Sequence, residues 1–258
     1  MARGLLIATI CAAVAVCAAA VSADGGRNGV DRAESAARIS ALTVVEAPTP
    51  RFRVPRYDTS GTYPQVLRSG LDLGKVNAAL RSAVLADQRA FAPYARRGAI
   101  GTAKVYRGVY RTSIDRRLLS ASTVVVSALM PAVEQYPGGS LGKTWVAATI
   151  DVRSAKRVRI TDLVADPPRA LKALAAAWNT RFRRAHPGAW ACVTKDRRAH
   201  RPLARNYQYF ALTPRGLAVG FWQEEACDRL LATVPYSTLR PYLSHLGSAL
   251  VSGVRRPR

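Results

Sequence analysis

The sequence predicts an α+β fold in which helices pack on an antiparallel sheet, within a single domain. Apolar residues recur at helical spacing in two internal stretches and near the C-terminus. Short runs rich in β-branched and aromatic residues fill the stretches between them. Helices and strands that follow one another in groups are typical of an antiparallel sheet covered by helices.

The first half of the chain is predicted to contain a short strand, a turn and a helix. Residues 42–45 are strand-like and are followed by two prolines, and residues 57–63 have the composition of a turn. Asp72 is a typical N-cap, and apolar spacing predicts a helix from there to Phe91.

After Gly101 the pattern changes to strands. We predict strands over residues 118–130, where Pro131 follows, and over residues 144–152, with an extension at 157–163. The intervening glycines and the Asp115-Arg116-Arg117 stretch are predicted to be turns.

The second half is predicted to contain two helices around a small group of strands. Pro167 and Pro168 open a helix that reaches Arg184. The remaining predicted elements are a hairpin of residues 207–212 and 217–222, a strand at 230–234 and a helix at 237–251.

The N-terminus has the composition of an export signal. Arg3 precedes an uncharged, alanine-rich run, and Val21-Ser22-Ala23 supplies the small residues of a cleavage site. We therefore predict a signal peptide over residues 1–23, cleaved after Ala23, with an uncleaved membrane anchor of residues 4–23 as the alternative. A flexible lead (24–41), one globular domain (42–252) and a basic tail (253–258) follow.

Two cysteines, Cys192 and Cys227, lie beyond the predicted signal peptide. In an oxidising compartment they would most simply pair in a disulfide. The three histidines show no ligand spacing with them, so no metal site and no cofactor is predicted.

The charge is strongly positive, and basic residues occur along the whole chain. Arg3 alone of the net charge of +23 lies in the predicted signal peptide, which leaves +22 on the mature chain. Such a field favours anionic partners such as cell-wall polymers or lipid head groups. Nucleic acid is a less suitable partner, because no single element concentrates basic residues with aromatic ones. Arginine used simply as a solubilising residue is the alternative.

Gly138-Gly139-Ser140-Leu141-Gly142 matches the G-x-S-x-G pattern of serine hydrolases. A nucleophile elbow needs a helix after the serine, whereas the residues that follow Gly142 are β-prone. We therefore expect Ser140 to lie in a turn and the protein to be no enzyme. An envelope serine hydrolase that uses Ser140, with Asp162 and His245 as candidate partners, is the alternative.

Several short motifs occur in an order that is similar to one known family. They are Tyr63-Pro64-Gln65-Val66, Leu118-Leu119-Ser120, Tyr136-Pro137-Gly138-Gly139, Thr149-Ile150-Asp151, Ile160-Thr161-Asp162-Leu163, Thr213-Pro214-Arg215-Gly216-Leu217 and Val234-Pro235-Tyr236-Ser237-Thr238-Leu239. Together they resemble the extracytoplasmic domain of RsiV-type anti-sigma factors, also found in some peptidoglycan deacetylases and secreted mycobacterial antigens. The resemblance covers roughly residues 44–251.

The resemblance implies a ligand-binding or accessory role outside the membrane, without a catalytic centre. In RsiV the ligand is lysozyme, so a lysozyme-binding protein is a further alternative, although two strongly cationic proteins would repel each other. The family turn usually continues Ala-His where Ser140 and Leu141 stand here, so any role of that histidine is absent. Since only three residues precede the apolar run, we expect no domain that holds a sigma factor.

We therefore expect a secreted or surface-exposed, non-enzymatic binding module of the bacterial cell envelope that recognises an anionic component. Tyr207, Tyr209 and Trp222 are candidates for an exposed aromatic binding surface, with core packing as their alternative role.

Overall fold

The computed structural model describes residues 42–51, 57–101, 108–136, 141–189, 201–221 and 230–254; for residues 95–101 and 141 it describes the backbone alone. Several predictions concern residues outside these ranges. They are the signal peptide with its cleavage site after Ala23, the lead of residues 24–41, the Ser140 turn, the Cys192–Cys227 disulfide, Trp222 and most of the basic tail.

The larger sheet has seven strands and the smaller has three. The strands of the larger sheet are β1 (Thr43–Pro48), β2 (Tyr57–Leu67), β3 (Gly108–Thr112), β4 (Leu119–Ala121), β5 (Val125–Gln135), β6 (Leu141–Asp151) and β7 (Lys156–Arg157). The strands of the smaller sheet are β8 (Phe210–Thr213), β9 (Gly216–Phe221) and β10 (Leu230–Val234). The helices are α1 (Gly74–Gly101), α2 (Pro167–Ala185), α3 (Tyr236–Leu239) and α4 (His245–Val254).

The larger sheet is ordered β1-β2-β3-β5-β6-β7, and β4 pairs with β5. Its pairings are antiparallel except for β2 with β3, which run parallel. Parallel neighbours need a crossover connection, and the chain segment that carries α1 supplies it. The predicted α+β class with a mostly antiparallel sheet is confirmed.

The elements form four layers: α1, the larger sheet, the smaller sheet, and α2 with α4. Alternate residues of β5 explain this arrangement. Val126, Ala128 and Met130 pack with apolar residues of α1, whereas Leu129 faces the smaller sheet.

The two sheets meet through small residues and one hydrogen-bonded pair. Ala211, Ala218 and Gly220 of the smaller sheet leave room for the ring of Trp145 from β6. Ser127 Oγ lies 2.7 Å from Thr149 Oγ1 and accepts a 2.8 Å hydrogen bond from the backbone N–H of Leu212. This bond ties the smaller sheet to the larger one.

The outer layer is anchored by α2. Asp166 caps its N-terminus, where its Oδ1 accepts from the N–H of Arg169 at 3.2 Å. The fully buried Trp178 donates from Nε1 to the carbonyl of Val219 at 3.1 Å. The prediction for this helix is confirmed within one residue at its C-terminal end.

Five local predictions were wrong, four of them at glycine or proline. Residues 57–63 are part of β2 rather than a turn, and Gly61 (φ 96°) lies where a side chain would overlap the backbone of Thr112. The strand predicted to end at Pro131 continues to Gln135. The carbonyl of Pro131 accepts from the N–H of Ser113, so its missing N–H faces the gap where β3 has ended and β4 has not begun.

Two further errors concern helices. The helix predicted for residues 72–91 begins at Gly74 and continues past Pro93 to Gly101. The helix predicted for 237–251 is divided into α3 and α4 by a 3-10 turn that contains Pro241. Strand β7 is also shorter than the predicted extension, since residues 160–163 form a 3-10 turn. Among the described helices, none combines the length and apolar character needed to cross a membrane.

Candidate functional site

An open cleft of about 550 Å³ lies beside the outer edge of β6. One wall comes from β6, β7 and the 3-10 turn of residues 160–163, and the other from residues 204–210. The larger sheet and the residues that lead into β8 of the smaller sheet therefore both contribute to the cleft. A cleft of this volume is in the range that holds a small organic ligand or a few units of a polymer.

Three arginines line this cleft: Arg157, Arg159 and Arg205. All three are exposed, so their charges stay in water. Arg157 is oriented by the sheet, because its Nη2 donates to the carbonyl of Ala147 at 2.9 Å. Arg159 lies 3.6 Å from Asp162 Oδ2, and the same carboxylate oxygen accepts from the N–H of Arg159 at 2.8 Å.

The floor of the cleft is largely apolar. Ala147, Val158, Ile160 and Phe210 are buried and line it. The amide of Gln208 adds a hydrogen-bonding group at the exposed side. The cleft therefore joins cationic groups at its rim to an apolar base, which suits an anionic organic molecule.

A second group of polar residues lies on the other side of the larger sheet, between the sheet and α1. We call it the acidic–tyrosine cluster: Asp87, Glu134, Tyr57, Tyr110 and Tyr136. Tyr110 donates from its hydroxyl to Asp87 Oδ2 at 2.7 Å, and Tyr136 donates to Glu134 Oε2 at 3.1 Å. The ring of Phe91 packs among the three tyrosines, with its centroid 5.0 Å from that of Tyr136.

The carboxyl groups of this cluster are hard to ionise. Burial raises the pKa of Asp87 to about 6, although the hydrogen bond from Tyr110 opposes the shift. Burial and then the charge of Asp87 raise the pKa of Glu134 to about 7, against the hydrogen bond from Tyr136. Burial is also the largest cause of the raised pKa of Tyr57 and of Tyr110.

The two carboxyls are too weakly exposed to serve as an open binding surface. Glu134 is 7% exposed, and each carboxylate accepts a hydrogen bond from a tyrosine: Asp87 of α1 from Tyr110 of β3, and Glu134 of β5 from Tyr136, which directly follows that strand. Perturbed pKa values often mark functional sites, but buried structural pairs perturb them equally well. The arginine cleft is accessible and the cluster is not, so we take the cleft as the candidate site.

Of the aromatic residues proposed from the sequence, the structure describes Tyr207 and Tyr209, and neither side chain is exposed. Tyr207 is 0% exposed, with its ring edge-on to Phe221 at 5.7 Å, which is the core-packing alternative. Tyr209 is partly buried and packs against the core between the sheets. Trp222 lies outside the described residues, as do Ser140, Cys192 and Cys227.

The proposed partners of Ser140 have structural roles of their own. Asp162 holds the start of the 3-10 turn through its bond to Arg159, and His245 begins α4. Among the residues that the structure describes, no group of three or more His, Cys, Asp or Glu is placed to hold a metal ion.

Sequence reasoning missed the cleft. The sequence shows basic residues along the whole chain, and none of the three arginines was singled out from it. The sequence signal that was available is the alternation of charged and apolar residues over Arg157, Val158, Arg159 and Ile160. In an extended segment this alternation places the charged residues on one side and the apolar residues on the other. The contribution of Arg205 comes only from the tertiary fold.

A scan against protein-family models and a search of curated proteins find no match. Among solved structures, the chain is similar to a DUF3298 family protein from Pseudomonas aeruginosa, with a TM-score of 0.52 and 12% identity over 85% of this chain and 97% of that one. The two proteins share a fold. A DUF3298 family member from Bacteroides fragilis has a TM-score of 0.46 and 12% identity, with the same 85% and 97% coverage. The similarity to RsiV-type domains stays a prediction.

Proposed function

We propose that the protein is a secreted or surface-exposed, non-enzymatic binding module of the bacterial cell envelope, and that it recognises an anionic envelope component in the arginine cleft. The observation that carries the proposal is the convergence of Arg157, Arg159 and Arg205 on one open cleft. Arginine pairs with phosphate and carboxylate through a planar fork of donors, which suits such a partner.

Two further observations support an envelope partner. The predicted signal peptide would deliver the chain outside the cytoplasm. The motif order resembles RsiV-type extracytoplasmic domains, for which a ligand-binding role without catalysis is expected. The net charge of the mature chain, +22 without Arg3, would attract an anionic envelope at long range and leave the cleft to supply local recognition.

The test is retention of purified mature protein on envelope fractions across a salt series. We expect retention at low salt that falls steeply as salt screens the charges. A triple variant, Arg157→Ala with Arg159→Ala and Arg205→Ala, should lose most of the retention.

A matched control removes the same number of charges elsewhere. Arg68, Arg81 and Arg89 are exposed and lie on or next to α1, across the larger sheet from the cleft. Their triple alanine variant should keep most of the retention. If both triple variants lose retention equally, overall charge and not the cleft is responsible. Tight binding to a cationic lysozyme would contradict the proposal.

The enzymatic alternative has its own test. An esterase or peptidase activity of the purified protein that disappears in Ser140→Ala would reject the non-enzymatic proposal. We expect no such activity in either protein.

A further inference from the structure

The charges of the cleft are unevenly compensated. Asp162 faces Arg159 at 3.6 Å and offsets part of its charge. Arg157 uses one N–H on the carbonyl of Ala147, which fixes its position without neutralising it. No carboxylate in the described part of the chain forms a salt bridge with Arg205. Among the described residues of the cleft, Arg157 and Arg205 are therefore the cations that no described carboxylate offsets.

The apolar floor of the cleft indicates which kind of group a ligand carries between its anionic groups. Val158 and Phe210 line the floor, and the small exposed part of each residue, 3% in both, is what a ligand can contact. A lone inorganic anion would leave this surface and most of the 550 Å³ unused. A ligand with a carbon skeleton between anionic groups would cover the floor and reach the rim arginines as well.

The shape and lining also separate the macromolecular candidates. A bilayer presents a broad surface, which a concave cleft cannot follow, whereas a single chain can enter it. Proteins that bind single-stranded nucleic acid stack its bases on exposed aromatic rings. Among the described residues that line the cleft, Phe210 is the aromatic one, and with 3% of it exposed its ring is too buried for a base to stack on.

We propose that the cleft binds a linear phosphodiester chain of polyol or sugar units, with Arg157 and Arg205 each pairing with a phosphate. The apolar floor then contacts the carbon skeleton, and Gln208 and Thr161 hydrogen-bond to hydroxyl groups of the units. Phosphate is favoured over carboxylate as the anionic group, because the charge of a phosphodiester lies in the backbone of the polymer. The charge is therefore held next to the apolar floor of the cleft. This inference rests on the proposed function and specifies its ligand.

The probe is a synthetic oligo(glycerol phosphate), measured by titration calorimetry with the mature protein. We expect Arg205→Ala to weaken binding roughly tenfold or more, since a charge-assisted hydrogen bond contributes about 1.5–3 kcal/mol. Arg205→Lys keeps the charge and loses the planar fork, so it should recover only part of the affinity. Arg81→Ala is the matched control and should bind like the parent protein.

Folding does not confound this test. Arg205 is exposed, so its substitution should leave the melting temperature unchanged, and this is checked for each variant. Arg157→Ala is the second variant, and it should weaken binding to a similar extent.

Two further ligands separate the outcomes. Oligoglutamate carries carboxylates instead of phosphates, and vesicles of phosphatidylglycerol carry the same phosphodiester at a bilayer surface. Equal affinity for oligoglutamate, or binding to vesicles alone, would overturn the inference. If envelope retention persists but free oligo(glycerol phosphate) does not compete for it, the proposed function stands and this inference fails. If retention itself is absent, both fail.

Discussion

The arginine cleft and the acidic–tyrosine cluster lie on opposite sides of the larger sheet and treat charge in opposite ways. The cleft keeps its cations exposed, where guanidinium groups remain solvated and available. The cluster buries its carboxyls, so that burial raises the pKa of Asp87 to about 6 and that of Glu134 to about 7. A binding site needs charged groups that a partner can contact. Buried charged groups mainly lower the free energy of unfolding, because they have lost their hydration.

The acidic–tyrosine cluster also affects the net charge of the surface. The chain has 16 acidic residues against 39 basic ones, and the cluster withdraws two of those carboxyls from the surface. At neutral pH Glu134, with a pKa of about 7, is only partly ionised. The surface is therefore more positive than the composition alone indicates, and the cleft lies within that positive surface.

The largest expected effect comes from breaking the cluster at its aromatic centre. Phe91 is 1% exposed and contacts Tyr57, Tyr110 and Tyr136. Phe91→Ala should lower the free energy of unfolding by about 3–5 kcal/mol, measured by chemical denaturation. Tyr94, 53% exposed on the same helix, is the control, and Tyr94→Ala should cost under about 1 kcal/mol. A loss below 1 kcal/mol in Phe91→Ala would mean that the cluster does not hold α1 on the sheet.

The second expected effect acts on the cleft side. Cys192 and Cys227 bracket the stretch that carries Arg205, Gln208 and the smaller sheet's first two strands. A disulfide between them would close a loop of about 36 residues and stabilise the protein by roughly 3–4 kcal/mol. The double variant Cys192→Ser and Cys227→Ser should therefore unfold more easily and bind more weakly. Non-reducing peptide mapping that finds both thiols free would contradict this prediction.

The third expected effect depends on pH. The pKa of Glu134, about 7, lies above its ordinary value because of burial, so the folded state holds the proton more tightly than the unfolded state. The stability from this carboxyl is present below about pH 4 and is lost as the pH rises through 7. Glu134→Gln should thus match the parent at pH 4 and exceed its unfolding free energy by about 1–3 kcal/mol at pH 8.

The exposed Glu46 provides a control for that experiment. Glu46→Gln should change stability by under about 0.5 kcal/mol at both pH values. A Glu134→Gln variant that is less stable than the parent at pH 8 would show that the ionised carboxylate contributes favourably.

The smallest expected effect tests the compensation inside the cleft. Asp162→Asn keeps an oxygen to accept from the N–H of Arg159 and removes the facing charge. Affinity for oligo(glycerol phosphate) should rise a few-fold at most, since such exposed pairs are worth under about 1 kcal/mol. Asp166→Asn is the matched control, because Asp166 pairs with Arg169 in the same i,i+3 geometry at 3.4 Å, away from the cleft. Equal changes in both variants would place Arg159 outside the ligand's reach.

Local signals in the sequence predicted the elements that obey local rules. Strand β10 was predicted with its observed ends, and Asp166 with the two prolines that follow it marks the start of α2. The predictions failed where tertiary pairing overrides local preference. Gly61 looks like a turn residue, but it lies in β2 because its backbone approaches Thr112 of β3.

Neither charged region could be predicted in the same way. Asp87 and Glu134 are far apart in the chain and meet only because α1 packs on β5. Arg157 and Arg205 likewise come from different parts of the chain and face one cleft only after the two sheets stack. In a chain with 39 basic residues, no local feature distinguishes Arg205 from the rest.

The bond from Arg157 to the carbonyl of Ala147 has a consequence for solubility. Strand β7 has two residues, so it covers only the end of β6, at Ile150 and Asp151. Beyond it, the outward carbonyls of Thr149 and Ala147 accept from the N–H of Val158 and from the guanidinium of Arg157. A bare strand edge recruits strands from other molecules, and a charged side chain laid across it prevents that pairing. Arg157 thus protects the folded protein from edge-to-edge aggregation.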